Sequence, residues 1–293
     1  MAGNSIPSQQ SYLETGKGEA NRARRLNMIK RAKRYLTIYW RYFKQYWKSR
    51  LVYKGDFVTG LIAQTIATAT SIAFISIIYS QTRTVAGWSY YEVLFLLGYG
   101  GIIFQLHNIF FFGTHFLGDH IRTGRFDRLL LRPLDVLFQL YSQHLSDDDV
   151  SSLFIQTALL IWAGSRLGIT LSPITLAYGI LSILSGVMVL CGLFLAFVTV
   201  SFWSGRSDAM TRIIFEFSNF RKYPLSIYAG GIKILLTTLI PIAFASFFPA
   251  TYLLQKPGYS QMKTLTLVIG PVIFFLAYRF WKFGLQHYSS TGS

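Results

Sequence analysis

Long apolar runs alternate with short polar connectors along this chain, and most of the runs have the length that a bilayer core demands. Six of them read as membrane-spanning helices: Asp56 to Tyr79, Tyr90 to Phe112, Val150 to Ala163, Ile174 to Trp203, Leu225 to Phe247 and Leu265 to Phe283. About 20 apolar residues rising 1.5 Å each cover a hydrocarbon layer of about 30 Å. The third run is short and the fourth long, so the divide around Arg166 to Pro173 is expected to shift. Ahead of the first span, Leu36, Tyr39, Phe43, Tyr46 and Trp47 recur at helical spacing among many basic residues. That pattern predicts an amphipathic helix lying in the headgroup plane. The first twenty residues, rich in Ser, Gln and Gly, lack the apolar core of a signal peptide and read as a cytosolic tail. The expected organisation is a disordered tail (1–20), a basic interfacial helix (21–55), an all-α six-span membrane domain (56–283) and a cytosolic C-terminal tail (284–293).

Just before the last span, Pro241 and Pro249 bracket Ile242 to Phe248, and Ala250 to Leu254 follows, including Tyr252. Proline removes a backbone donor and breaks a helix, so this stretch predicts a short re-entrant or interfacial helix pair, with a kinked ordinary span as the plainer alternative.

Composition agrees with a membrane setting. Of the 293 residues 52% are hydrophobic and only 14% charged, more apolar surface than one soluble core can hide. The net charge of +16 does not indicate nucleic acid, because no recognition motif accompanies it; anionic lipid headgroups are the expected partner. With the six spans drawn as above, 23 of the 28 Lys and Arg residues fall on one face, and only Arg83, Arg166, Lys256 and Lys263 on the other. Basic residues resist translocation, so both termini are expected in the cytosol. The same rule retains the short third span, since deleting it would export Arg206, Arg212, Arg221 and Lys222, read here as a cytosolic loop. Lys233, a cation inside a span, is placed near the cytosolic end of the fifth, where it can snorkel to the headgroups or line a pore.

The largest cytosolic loop, between spans two and three, contains Asp119, Arg122, Arg125, Phe126, Asp127, Arg128, Arg132 and Pro133. Alternating apolar and charged positions suit docking, and a short helix ending near Arg132, ahead of proline, would present Arg125, Asp127 and Arg128 to a cytosolic partner. A solvated interfacial loop is the plainer reading. Within span two, His107 and Asn108 are candidates for an interhelical hydrogen bond or for the path itself, and Glu92 near its outer end is an interface candidate. Gly98, Gly100 and Gly101, and the stripe Ala63, Ala67 and Ser71, allow close helix approach, either within one chain or between two. Cys191 reads as a small core residue.

Catalytic patterns are weak. Asp147, Asp148 and Asp149 have the spacing of a divalent-metal site, as in a membrane-embedded glycosyl- or phospho-transferase, but they precede a helix, where carboxylates cap free N–H groups. His115, Asp119 and His120 lack a convincing further ligand, so no metal is expected. No G-x-x-x-x-G-K-[ST] loop is present, and Gly16-Lys17-Gly18 lacks its spacing. An ATP-independent secondary transporter is a third reading.

With these residues in view, the chain resembles the permease subunits of type-two ATP-binding-cassette exporters, in particular six-span half-transporter permeases. The resemblance covers nearly all the membrane region and is carried by Gly124-Arg125-Phe126-Asp127-Arg128-Leu129-Leu130-Leu131-Arg132-Pro133-Leu134, by Phe220-Arg221-Lys222-Tyr223-Pro224 and by Ile240-Pro241 with Phe248-Pro249-Ala250. It implies half of a translocation path, a second permease copy or homologous permease, and two ATPase subunits that bind ATP and Mg while this chain holds no cofactor. It further implies that Asp119 to Leu134 supplies the coupling helix, that the segment before span one forms a connecting elbow, and that the proline-bracketed pair caps the exit, all in a bacterial plasma membrane. The acidic run Asp147 to Asp149 departs from the family's usual loops.

Overall fold

The computed structural model describes residues 30, 33–45, 48, 54–144, 148–170, 172–205 and 208–289. Two compact units divide the chain, Met1–Val52 and Tyr53–Ser293. In the first, described residues form helix α1 (33–45), where Trp40 stacks on Phe43 at 5.3 Å and Lys44 Nζ lies 5.6 Å from the Trp40 ring. The predicted tail, the start of the interfacial segment, and Tyr46 and Trp47 lie outside the described residues.

The second unit is a helical bundle. Helix α2 (Lys54–Gln81) ends in a tight hairpin, β1 (Thr84–Val85) and β2 (Trp88–Ser89), from which α3 (Tyr90–Phe111) descends. Ser89 N–H donates to Glu92 Oε2 at 2.7 Å and starts α3 squarely at the hairpin. Three short helices follow at the opposite end, α4 (Leu117–Arg122), α5 (Arg125–Leu130) and α6 (Val136–Gln143). Helix α7 (Asp148–Arg166) returns antiparallel to α3, since Asn108 meets Asp149 near one end and Tyr91 meets Trp162 near the other. Helix α8 (Pro173–Thr199), capped by Ser172 Oγ on Thr175 N–H at 3.1 Å, descends into α9 (Ser201–Ser204). Helix α13 (Ser260–Gln286) lies parallel to α8 in close contact, so that a Cβ on Gly270 would sit 2.2 Å from the Ser185 carbonyl. Helix α3 is largely buried, whereas α2 exposes Ile62, Ile66, Phe74 and Ile77. A helix that sheathes itself in isoleucine and phenylalanine on its open side is built to face lipid.

Among the described residues four helices are long and apolar enough to cross a membrane, Val58–Gln81, Tyr90–Arg122, Pro173–Ser204 and Ser260–Gln286. A fifth candidate, Gly230–Leu239 with Ile242–Leu253, is bent by 75°.

That bend corrects the expected fifth span. Leu225 to Phe247 is not one helix: a 3-10 turn (Leu225–Ile227), α11 (Gly230–Ile234), a π turn (Leu235–Leu239) and a 3-10 turn (Ile242–Phe244) precede α12 (Phe247–Leu253). Ten helical residues before the break at Pro241 reach only about 15 Å, half the hydrocarbon thickness. The bundle is instead traversed by the stretch expected to be a cytosolic loop. Helix α10 (Asp208–Asn219) packs Phe215 on Phe194 at 5.1 Å, Arg221 reaches the Gly100 carbonyl halfway along α3, and Ser226 Oγ lies 3.4 Å from the Ala86 carbonyl at the hairpin. Arg221 and Lys222 thus belong to the bundle, and the charge asymmetry rests on the remaining basic residues.

Candidate functional site

At the loop end, α4 and α5 are divided at Thr123 and Gly124, where Gly124 takes φ +66°, a left-handed conformation that glycine adopts without strain. Asp119 sits between two arginines, 2.7 Å from Arg122 and 2.8 Å from Arg125, and Arg125 Nε also donates to Thr123 Oγ1 at 2.9 Å. Phe126 does not face outward. It is fully buried, 5.4 Å from the Phe202 ring and 4.9 Å from Tyr288. Helix α5 ends at Leu130, earlier than predicted, and leaves Arg128, Leu130, Leu131, Arg132 and Pro133 exposed. Leu131 is 85% exposed, an apolar tip between two arginines. Gln139, buried beneath this turn, donates to the carbonyls of Leu129 and Leu134 at 3.0 and 3.1 Å. Asp135 accepts from Phe138 N–H at 3.1 Å, capping α6, and pairs with Lys282 on α13 at 3.3 Å. The loop is therefore seated on α9 and α13 by a phenylalanine and an ion pair, with its arginine-ringed tip free.

Deeper in, His107 is fully buried against Phe194 at 4.6 Å, with Nδ1 3.4 Å from Cys191 Sγ, and Asn108 donates to Asp149 at 3.2 Å. Both are interhelical contacts, joining α3 to α8 and to α7. Gly98 and Gly101 serve packing within the chain, because a Cβ at either would meet Leu160 N at 2.9 Å or Gln156 Oε1 at 2.5 Å. Ala63 and Ala67 stay exposed. Sequence reasoning missed the polar centre of the bundle. Arg221 donates to Gly100 O at 3.1 Å and Ser218 O at 2.6 Å, and its guanidinium covers the Phe104 ring at 3.8 Å. Gln105 and Gln156 are buried beside it. Isolated glutamines inside apolar runs were the available signal, since such residues in a span mark function or helix contact.

The proline-bracketed segment dips from the hairpin end to the level of Arg221 and returns. Ser246 Oγ, near its turn, donates to Arg221 O at 2.9 Å; on the way back Phe247 meets Trp88 at 5.7 Å and Tyr252 meets Tyr178 at 3.8 Å. Pro241 breaks the first limb, Pro249 fits the first turn of α12 where its missing N–H costs little, and Ala250 is fully buried. Lys233 lies on the descending limb, a few residues below the hairpin end, and not near the loop end as expected. At the hairpin end Lys256 pairs with Glu92 at 2.9 Å and lies 4.8 Å from the Trp88 ring.

Among the described residues no three His, Cys, Asp or Glu side chains are grouped to hold a metal. His115 is turned into the core with Nδ1 2.6 Å from Phe112 O, away from Asp119 and its arginines. Asp147 lies outside the described residues, and Asp149 is engaged by Asn108.

A bundle of long apolar helices, with a broken helix pair at one end and an arginine-rich loop at the other, has the make-up of an integral membrane protein. The chain belongs to the ABC-2 family of transporter proteins, whose family model matches residues 65–292. It is accordingly a permease subunit of an ABC transporter, a family whose members work with a separate ATPase subunit. No curated protein and no solved structure matches it.

Proposed function

We propose that this chain forms half of the translocation path of an ATP-driven exporter in a bacterial plasma membrane. Two such permeases, identical or homologous, would join two ATPase subunits that bind ATP and Mg. The six crossings are α2, α3, α7, α8 with α9, residues 208–228, and α13, with the loop end and both termini in the cytosol. The bent pair is then re-entrant from the outer face. The arginines at 122, 125, 128 and 132, all at the loop end, support that orientation.

The observation that carries this reading is the exposed Leu131 tip flanked by Arg128 and Arg132 on a loop fixed from below by Phe126. An apolar knob with a cationic rim fits an apolar cleft edged by carboxylates on a cytosolic protein. Closure of the ATPase pair pushes on that knob, and Phe126 and the Asp135–Lys282 pair pass the displacement to α9 and α13 as a rigid-body shift. Work is transmitted only because the loop's contacts differ between the two states.

Co-purification tests it. Leu131→Asp with Arg128→Glu is expected to release the ATPase while the permease keeps its melting temperature; an intact complex would overturn the docking assignment. For orientation, a cysteine at Gly258 in a Cys191→Ser background should react with a membrane-impermeant maleimide added outside, and one at Thr123 should not. The reverse result refutes the topology.

A further inference from the structure

We infer that the chain carries, at mid-depth in the bundle, a binding site for an anionic group flanked by hydroxyls, the chemistry of a polyol phosphoester. A cavity of about 150 Å³ opens between α2, α3, α7 and the residues after α10, lined by Arg221, Lys222, Gln105, Gln156, Thr68 and Ser71. One water needs about 10–15 Å³ of such space, so the cavity holds a headgroup-sized anion and its hydroxyls but no folded peptide.

Three features point to that ligand. First, two adjacent cations line the same cavity, and the hydrogen bonds of Arg221 go to neutral oxygens on Gly100 and Ser218; Asp149, engaged by Asn108, acts on its charge only from beyond contact distance. A cation held inside a membrane protein without a contacting counter-ion is costly unless a ligand supplies one. Second, Gln105 Oε1 and Gln156 Oε1 are buried acceptors with no hydrogen-bond partner among the described residues, although Gln156 Nε2 is held by Thr68 Oγ1 at 3.3 Å. Orphaned acceptors beside an anion site call for donors on the ligand, which hydroxyls next to a phosphoester provide. Third, Gly101 leaves the space that the Gln156 carboxamide occupies, so the amide is fixed at the cavity wall. Residues Ala67 and Ser71 keep the α2 side of the cavity small-walled, beside the apolar exposed face of α2 along which an acyl tail could lie.

Calling this ligand cargo rests on the exporter reading above; its binding does not. The test uses the full-length chain purified in detergent, with sn-glycerol 3-phosphate and short-chain phosphatidylglycerol as probes and phosphatidylcholine as control. Melting temperature and native mass spectrometry are the readouts. At least one anionic probe should bind and raise the melting temperature, and phosphatidylcholine should not. Binding of the lipid alone assigns a bilayer headgroup, binding of glycerol phosphate alone assigns a soluble ligand, and either supports the site.

Gln105→Leu removes an unpaired buried acceptor, so the free protein should melt no lower, yet the probe should bind at least tenfold more weakly. Lys222→Gln should weaken binding likewise, and these two variants decide the matter if Arg221→Gln fails to fold. Absence of binding by both probes, equal binding of phosphatidylcholine, or unchanged affinity in Gln105→Leu overturns the inference. Loss of ATP-driven transport with intact probe binding would count against the exporter reading alone; a stable ATPase complex without probe binding would count against this site alone.

Discussion

The phenol of Tyr288 donates a hydrogen bond to Asp127 Oδ1 at 3.0 Å, tying the end of the chain to a helix 161 residues earlier. Its ring also packs on Phe126 and Phe202, so the segment after α13 forms part of the seat of the α4–α5 loop. Tyr288→Phe keeps the ring and loses the bond. A cost of about 1 kcal/mol is expected, read as faster hydrogen exchange across residues 125–130 with α3 unchanged.

Phe126 and Leu131 lie on opposite sides of one short turn and should separate stability from docking. Phe126→Ala empties a fully buried site and is expected to cost about 3–5 kcal/mol, lowering the melting temperature of the isolated permease. Leu131→Ala at an exposed tip should stay within about 0.5 kcal/mol. If both variants melt alike, the loop is not anchored as described.

The pair of Glu92 and Lys256 joins the first turn of α3 to the connection ahead of α13, with both side chains less than one-fifth exposed. Lys256→Met leaves Glu92 without its cation and should cost about 1.5–3 kcal/mol, the range for hydrogen bonds to charged groups. Adding Glu92→Gln should recover much of the loss, because no uncompensated charge then remains. Thermal melting of the two singles and the double checks this.

Acid should loosen the loop end. Burial holds the His144 imidazole below its ordinary value, with the His120 ring 6.0 Å away and the Arg125 cation adding to the effect. Its folded value being depressed, the unfolded chain takes up the proton first as pH falls. The contribution of the neutral ring is complete above about pH 6.5, declines as pH drops through that value toward the folded one, and is then exhausted. Melting from pH 8 to 5 should fall more steeply in the natural chain than in His144→Gln; parallel curves would remove His144 from the effect.

Much of the architecture was legible because hydropathy alone determines it. Tyr90 to Phe112 was expected and α3 ends at Phe111; Ile174 to Trp203 was expected and α8 with α9 runs from Pro173 to Ser204. The stretch around Arg221, expected as a loop, packs inside the bundle instead, and it was misread for a specific reason. Arg221 and Lys222 make any local window look like a loop, and what admits Arg221 to the interior is the Gly100 carbonyl and the Phe104 face, contributed by a helix more than a hundred residues away. The loop site divided similarly. Exposed arginines and the stop before Pro133 follow from local pattern, whereas the inward turn of Phe126 depends on Phe202 and Tyr288, distant partners that periodicity cannot reveal.

The hydroxyl of Ser246 donates to the main chain of Arg221 at 2.9 Å. The tip of the folded-back pair is thereby latched to the very residue that marks the bundle's midpoint. Moving the folded-back pair cannot leave that midpoint undisturbed: either the latch parts or the residues around Arg221 travel with it, so a displacement at one end of the bundle is felt at its waist.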